Sequence, residues 1–372
     1  MAITDDTRAL VIASHDRYEK GAENLTERKR LIRELMKKDG NIQLNFDMAL
    51  KTTYDVEMRD APVQTLADGA AFDYNRNDYL DQASFTPRDM AASQMFTLRE
   101  IELLRGSQGL IVDYFSRAFP KLDESLNKYL DKSFYQDGDA AANQGFFCGL
   151  ETLLTAGTVT SADMIAAPAD TYNGISTVFN AKGGTWSSNM TTPPNASLAV
   201  DWPFGYSMTP EADYWTPQLW NIKSSALTGA TDMTTNIEPF LRRAISCLRV
   251  LNGDENAKMI CVMENGMLQT LKDHWMADRR WVPPVDSEAT DMGFSDVLMF
   301  EGCTIQASFG CPANTAYILF RPKLELLICT DKLFKRRGPI EEQRTGNELM
   351  AMYNFGNWRF WPKAIAKLYP YA

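Results

Sequence analysis

The amino-acid sequence predicts an α+β fold, because two different apolar periods occur in separate parts of the chain. Apolar residues alternate with polar ones over 42–50, which is the period of a strand, and recur about every four residues over 98–130, which is the period of a helix. From 234 onward, short strand and helix patterns follow one another. The 372 residues, 45% of them hydrophobic, suffice for two or three structural units or for one elaborated domain.

Composition excludes several classes of protein. The chain has 23% charged and 11% aromatic residues, which is typical of a globular core and excludes predominant disorder. Its net charge of −10 argues against free binding to nucleic acid or to an anionic membrane. The longest apolar stretches, 316–320 and 324–329, are far shorter than the ~20 residues of a membrane span. The acidic start, MAITDDTRAL, predicts no export signal.

Histidines, cysteines and motifs predict neither a metal, a cofactor nor a catalytic site. The six cysteines lack CxxC spacing, as expected of reduced, mostly buried thiols, and neither histidine, His15 or His274, has a cysteine at ligand spacing. No nucleotide-binding, metalloprotease or nucleophile-elbow motif is present. The adjacent pair Glu341-Glu342 is more typical of a solvated turn than of an acid/base pair. We therefore expect that the protein is not an enzyme.

Residues 1–40 predict a short amphipathic helix with a basic outer face. Apolar residues recur between Leu31 and Met36, where they form one stripe. The basic face comprises Arg28, Lys29, Arg30, Arg33, Lys37 and Lys38. Two interpretations are open: a solvated helix face, or an arm whose basic face meets an acidic neighbour or scaffold.

The next segment predicts a long extended excursion. The strand pattern continues to Met58, so that 41–58 would reach roughly 60 Å at about 3.3 Å per residue. Few aliphatic side chains occur over 60–89, and ten acids against four arginines lie between Asp55 and Glu102. Such a segment buries little against itself, so we expect it to lie on another surface such as a second subunit; an ordinary surface flap is the alternative. Its aromatic candidates for subunit contact are Phe72, Tyr74 and Tyr79.

From Pro87 the sequence predicts helix. A first apolar run ends at Gly106, and a second, from Ser107 to Leu130, contains Pro120, where a kink is expected. The parts before and after Pro120 together predict one long helix of about 30 residues, or roughly 45 Å.

The carboxy-terminal half predicts short strands and helices. Thr234 or Thr235 is expected to cap a helix that ends near Leu251, and 259–263 has the pattern of a buried strand. Before it, 172–220 is rich in loops and in tryptophan: Trp186, Trp202, Trp215 and Trp220. Loop tryptophans favour either carbohydrate binding or, more commonly, anchoring of irregular chain to a core.

The order of these elements resembles that of tailed-bacteriophage major capsid proteins, which have the Hong Kong 97-type fold. Four stretches carry the resemblance: DKSFYQDGDAAANQGFFCGLETLL (131–154), the helix–strand–helix pattern of 234–274, FEGCTIQASFGCPANTAYILFRPKLELLI (300–328) and NFGNWRFWPKAIAKL (354–368). The resemblance covers nearly the whole chain in order and pattern, except for 158–225.

The resemblance implies a domain organisation. It implies an N-terminal arm (1–40), an extended loop (41–86), a peripheral domain with a spine helix (87–150 and 323–351) and an axial domain (151–322 and 352–372). Self-assembly into hexamers and pentamers of an icosahedral shell is implied, with scaffolding, portal and decoration proteins as further partners. Packaged double-stranded DNA would be enclosed without specific binding, in a virion assembled in the host cytoplasm, with no membrane.

The resemblance also implies contacts between subunits. Basic residues would meet the acidic 55–102 segment, and the candidates are Arg28 to Arg33 together with Lys335, Arg336 and Arg337. Glu341 and Glu342 are further candidates for subunit contact. Some relatives join their subunits by an isopeptide bond between a lysine in the extended loop and an asparagine in the peripheral domain. No lysine occurs between Lys51 and Lys121, so Glu341, Glu342 and Asn347 would have no amine partner, and we expect no such bond.

Three other classes of protein fit parts of the pattern. An encapsulin-like nanocompartment shares the fold and would enclose a cargo enzyme. An aromatic-rich binding or hydrolytic protein would use the 172–220 loops and would be a monomer or dimer. A tail or minor shell protein would differ from the main shell protein in copy number.

Overall fold

The computed structural model describes residues 31–46, 52–57, 80–100, 108–143, 145–157, 159, 164–166, 168–177, 215–225, 227–252, 258–278, 298–308, 310–341 and 347–371. The chain divides into two compact units. The first comprises 1–48, 87–149 and 326–358, and the second comprises 49–86, 150–325 and 359–372. The domain boundaries given above from the resemblance stay a prediction.

Runs of strands separated by single helices follow one another along the described chain, which is typical of an α+β fold. The elements, in order, are α1 (Leu31–Asp39), β1 (Ile42–Gln43), β2 (Thr52–Glu57), β3 (Leu80–Phe85), β4 (Arg88–Phe96), α2 (Gln108–Tyr135), β5 (Ile165–Ala166), β6 (Thr171–Tyr172), β7 (Ile175–Ser176), β8 (Gln218–Asn221), α3 (Met233–Asn252), β9 (Met259–Met263), α4 (Asn265–Asp278), β10 (Leu298–Phe300), β11 (Cys303–Ala307), β12 (Ala316–Phe320), β13 (Leu324–Ile328), β14 (Lys335–Glu341), β15 (Glu348–Phe360) and β16 (Ile365–Tyr369).

The first unit is built on the long strand β15. The sheet has the order β1-β13-β15-β14, and β4 also pairs with β15. Strand β4 runs antiparallel to β15 from Arg88 opposite Gly356 to Phe96 opposite Glu348. The long helix α2 packs against β15, since the indole Nε1 of Trp358 donates to Ser133 at 3.1 Å. Apolar residues of this helix that are buried are Leu122, Leu126, Leu130 and Phe134.

Two predicted elements differ in this unit. The strand expected over 41–58 is wrong as one continuous strand, because β1 has only two residues and Asn45, with φ of 55°, turns the chain. The helix expected from Pro87 is also wrong at its start, because β4 pairs with β15 over nine residues. That pairing joins segments far apart in sequence, which a local apolar period does not reveal. The single long helix axis is confirmed by α2, which has 28 residues and continues through Pro120.

The turn that follows α2 is held by Arg88 at the start of β4. The guanidinium donates to the carbonyl of Gly138 at 2.5 Å and to that of Phe146 at 3.1 Å, and it pairs with Asp139. Arg88 therefore satisfies main-chain acceptors that a turn leaves without helix partners.

The second unit contains a seven-stranded mixed sheet in the order β10-β11-β9-β12-β16-β8-β5. Helices α3 and α4 pack on one face of it, and their apolar residues, including Phe240, Leu248 and Leu268, join a single buried cluster with the strands. Trp215 and Trp220 are fully buried, which agrees with the anchoring role for these two rings. Trp186 and Trp202 lie outside the described residues.

The two helices of this unit begin at acidic caps. The carboxylate of Asp232 accepts from the main-chain N–H of Thr235 at 3.3 Å, so the predicted cap at Thr234 or Thr235 is wrong by a few residues. Glu264 caps α4, because its carboxylate accepts from the N–H groups of Gly266 and Met267. Among the described residues, no helix is both long enough and apolar enough to cross a membrane.

Candidate assembly surface

The predicted contact residues fall into two groups. Arg28, Lys29, Arg30, Phe72, Tyr74, Tyr79 and Glu342 lie outside the described residues. Arg33, Lys335, Arg336, Arg337 and Glu341 lie within them, all in the first unit. Their role in subunit contact stays a prediction for both groups.

Arg33 joins helix α1 to the long helix of its own chain. Its Nη1 donates to Oδ1 of Asn127 on α2 at 2.6 Å, and Asn127 is buried. On the same helix Ile32, Leu35 and Met36 are buried. The apolar stripe predicted for this segment is therefore confirmed, and the helix is held to its own unit through this stripe and through Arg33.

The basic residues of β14 alternate between the two faces of the strand. Lys335 and Arg337 are exposed, and Arg336 is half-buried. The Lys335 ammonium lies 3.4 Å from the Asp331 carboxylate, and because both side chains are about half exposed this ion pair adds little stability. Glu341 closes the strand opposite Glu348.

An apolar row crosses three neighbouring strands on the exposed face of the same sheet. Leu349 of β15 is the register partner of Ile340 on β14 and of Met95 on β4. Direct partners project from the same face, so the three side chains are side by side. They are 38% (Ile340), 37% (Leu349) and 55% (Met95) exposed. The solvated face of an antiparallel sheet is normally polar, so this apolar row is a candidate contact surface.

The rest of this face is shaped by small side chains next to basic ones. Ser93, Ala351 and Arg337 form the next row, followed by Ala91, Tyr353 and Lys335. A shallow groove lies on this face and is bounded by Asp89, Arg337, Tyr353 and Phe355 among others. The sheet face (odd-numbered residues 89–95 and 349–355, with Lys335, Arg337 and Ile340) thus combines an apolar end, a basic side and one acid.

Sequence reasoning identified Lys335 and Arg337 but missed the apolar row. Apolar residues occur at almost every position of LMAMYNF (349–355), so the sequence pattern does not separate a buried face from an exposed one. In the structure Met350 and Met352 are buried while Leu349 and Phe355 are exposed. The sequence did contain a signal. One buried face of a strand needs an apolar residue only at every second position, whereas almost every position of this run is apolar.

One polar cluster outside the sheet face lies around Glu238. His274 lies 3.6 Å from the Glu238 carboxylate, which also accepts from the Trp275 indole at 3.0 Å and from Arg242 at 3.1 Å. This cluster joins α3 to α4 at the surface. Within the described residues, no three metal-binding side chains of the His, Cys, Asp or Glu type come together.

The thiols are expected to be unreactive in the folded protein. Five of the six cysteines are buried and only Cys329 is half-buried. Burial raises the pKa of Cys148 to about 11 and those of Cys247 and Cys303 to about 12, so the thiolate fraction stays low up to pH 9. A colorimetric thiol titration at pH 8 should therefore detect at most one fast thiol in native protein and six after guanidinium unfolding. Rapid reaction of several thiols in native protein would contradict this burial.

The comparisons with known proteins concern the fold. No protein-family model and no curated protein matches the chain. Among solved structures, the cyanophage A-1(L) capsid asymmetric unit matches with a TM-score of 0.53 and 13% identity, over 86% of this chain and 88% of that one. The chain has a phage-capsid fold.

Two other capsids show weaker matches to this capsid fold. The capsid of a native GTA particle matches with a TM-score of 0.49 and 15% identity, and the match covers 93% of this chain and 92% of the GTA capsid chain. The capsid of cyanophage P-SCSP1u has a TM-score of 0.47 and 10% identity, over 94% and 91% of the two chains. The fold assignment rests on the cyanophage A-1(L) structure, and the Hong Kong 97-type fold predicted from the sequence is confirmed.

Proposed function

We propose that the chain is the major capsid protein of a tailed bacteriophage and that it self-assembles into an icosahedral shell around double-stranded DNA. The observation that carries the proposal is the capsid fold, which extends over 86% of the chain and includes both compact units. Hexamers and pentamers of the chain would form the shell, and the protein would be located in the virion.

The exposed sheet face supports assembly from many copies. A shell depends on moderate contacts that symmetry repeats, and such contacts need apolar surface that a single chain leaves uncovered. Ile340, Leu349 and Met95 supply a row of that kind. We propose that a second copy of the chain covers this row in the shell.

In this proposal, exposed charged residues select the orientation in which two subunits meet. Lys335 and Arg337 are exposed on the basic side of the sheet face, and acids predominate between Asp55 and Glu102. Exposed ion pairs contribute about 1 kcal/mol or less each, so these charges would select an orientation rather than determine affinity. The negative net charge of the chain is consistent with DNA that is enclosed without specific binding. The proposal also includes scaffolding, portal and decoration proteins as partners, and assembly in the host cytoplasm.

The hydrolytic or carbohydrate-binding alternative has less support. Trp215 and Trp220 have no exposed ring surface, so these rings are unavailable to stack on a ligand.

Negative-stain electron microscopy of the purified full-length protein, with size-exclusion chromatography of the same sample, tests the proposal. Closed shells, or rings that convert to shells, are the expected result. The diameter of the shells then distinguishes a phage capsid from a small nanocompartment. A 42 kDa monomer that does not assemble, with or without crowding agents, scaffold protein or salt, would contradict the proposal.

Shells of this protein are expected to lack covalent links between subunits. The tip of the extended loop has no lysine, because the first lysine after Lys51, near the base of the loop, is Lys121, so an isopeptide bond from the tip has no amine. Boiling assembled shells in denaturant should release one band at the mass of the chain on a denaturing gel. A ladder of multimers would contradict the prediction.

A further inference from the structure

The extended hairpin formed by β2 and β3 contacts one tight turn of its own unit. That turn, Asn173-Gly174, joins β6 to β7, and its two residues have φ values of 53° and 86°. A two-residue hairpin turn with both φ values positive favours Asn followed by Gly, since these residues tolerate left-handed backbone best. The local sequence therefore stabilises the turn independently of the hairpin that it contacts.

Asn173 contacts both strands of the extended hairpin. Its Nδ2 donates to the Tyr54 hydroxyl on β2 at 2.9 Å. Its main-chain carbonyl accepts from the N–H of Ser84 on β3 at 2.7 Å and from the Ser84 hydroxyl at 3.4 Å. Tyr54 pairs with Ala83, next to Ser84, so both contacts lie at the same level of the hairpin. One residue thus fixes the position of both strands relative to the turn.

The Tyr54 ring is held on its other sides as well. The guanidinium carbon of Arg359 lies 5.7 Å from the ring centre, and the Trp361 ring lies edge-on at 6.4 Å. Arg359 is itself oriented by an ion pair with Glu325. Ala83 and Phe85, on the same side of the hairpin as Tyr54, are buried. The hydroxyl therefore has a defined position, which makes its hydrogen bond to Asn173 directional.

We propose that Asn173 is a positioning residue that sets the direction in which the extended hairpin leaves its own chain. The inference rests on the proposed function, because in a shell that direction would determine which part of a neighbouring copy the connection 58–79 could reach. Half of that connection could extend at most ~36 Å, so a change of ~10° at the hairpin base would move its far end by ~6 Å. A displacement of that size exceeds the tolerance of a packed contact.

The test uses two single variants and their combination in the full-length chain. Asn173→Gly keeps the left-handed backbone and the carbonyl acceptor but removes Nδ2, and Tyr54→Phe removes the hydroxyl. Asn314→Gly is the matched control, since Asn314 is an exposed turn residue with φ of 55°. Amide hydrogen exchange over 52–57 and 80–85 is measured by mass spectrometry, and particles are counted and sized by negative-stain microscopy.

Each single variant should accelerate exchange of the hairpin amides about five-fold, the effect of one hydrogen bond, and the combination should add nothing further. Both variants should also give fewer shells with a broader range of diameters, while the control behaves like wild type. Unchanged exchange in Tyr54→Phe and Asn173→Gly would overturn the proposal. Changed exchange with unchanged shells would overturn the positioning role. Failure of the wild type to form shells would overturn the proposed function, and the exchange result would still decide whether the Asn173 hydrogen bond holds the hairpin to the turn.

Discussion

Replacement of Met95 by Asp is expected to abolish shell formation and leave the fold intact. Met95 is 55% exposed in the single chain, so the substitution should change the free energy of unfolding by about 1 kcal/mol or less. In an assembly that covers the sheet face, the variant loses the apolar burial and places an unpaired carboxylate in the contact. Together these effects should weaken each contact by about 3 kcal/mol, roughly a hundred-fold. Light scattering under assembly conditions measures the result.

Met299→Asp provides a matched control for Met95→Asp. Met299 is 45% exposed, on β10 in the second unit, and does not belong to the sheet face. The control should assemble, and Leu349→Asp should fail as Met95→Asp does, since the two residues are register partners. Normal assembly of both sheet-face variants, or an equal loss in the control, would show that the apolar row is not the contact surface.

Replacement of Glu151 by Ala is expected to destabilise the fold far more than Met95→Asp does. The Lys367 ammonium lies 2.6 Å from the Glu151 carboxylate, and the Lys367 side chain is only 9% exposed. The hydroxyl of Tyr317, the register partner of Lys367, also donates to this carboxylate. Removing the carboxylate leaves a buried cation without its counter-ion, which should lower the free energy of unfolding by about 3–5 kcal/mol. Guanidinium unfolding followed by fluorescence measures the change.

The reciprocal variant, Lys367→Met, should cost less than half as much. Methionine fills the apolar path of the lysine stem, while Glu151 keeps the Tyr317 hydroxyl and is itself 24% exposed to solvent. An equal or larger loss in Lys367→Met would mean that the lysine contributes through packing more than through charge.

The fold was predictable where the apolar period is local and unambiguous. The long helix and the strands at 259–263 and 316–320 follow directly from their patterns. The segment Arg88–Phe96 was not predictable, because its residues have no strong strand preference and become a strand only by pairing with β15, far away in sequence. The alternating pattern also predicts that β1 continues past Gln43. It does not, because the positive φ of Asn45 turns the chain.

The candidate surface was predictable only in its charges. Lys335, Arg336 and Arg337 stand out as a run of cations. The apolar row, in contrast, needs the register that brings Ile340, Leu349 and Met95 together. Asn173 shows the opposite case: Asn-Gly predicts a tight turn, whereas its contacts with Tyr54 and Ser84 depend on tertiary structure. A sequence reveals which residues favour a turn, but it does not reveal what the turn touches.

The place of β16 in the second sheet has a consequence for synthesis of the chain. Strand β16 lies between β12 and β8, so the sheet stays in two parts until Ile365–Tyr369 has been made. Gln218 must then find Ala366, a pairing of very distant segments that is slow to form. A nascent chain on the ribosome therefore cannot complete this sheet before Ile365–Tyr369 has been translated. Contacts with other chains that need the complete sheet are thereby delayed until Ile365–Tyr369 has emerged from the ribosome, which limits premature association of nascent chains.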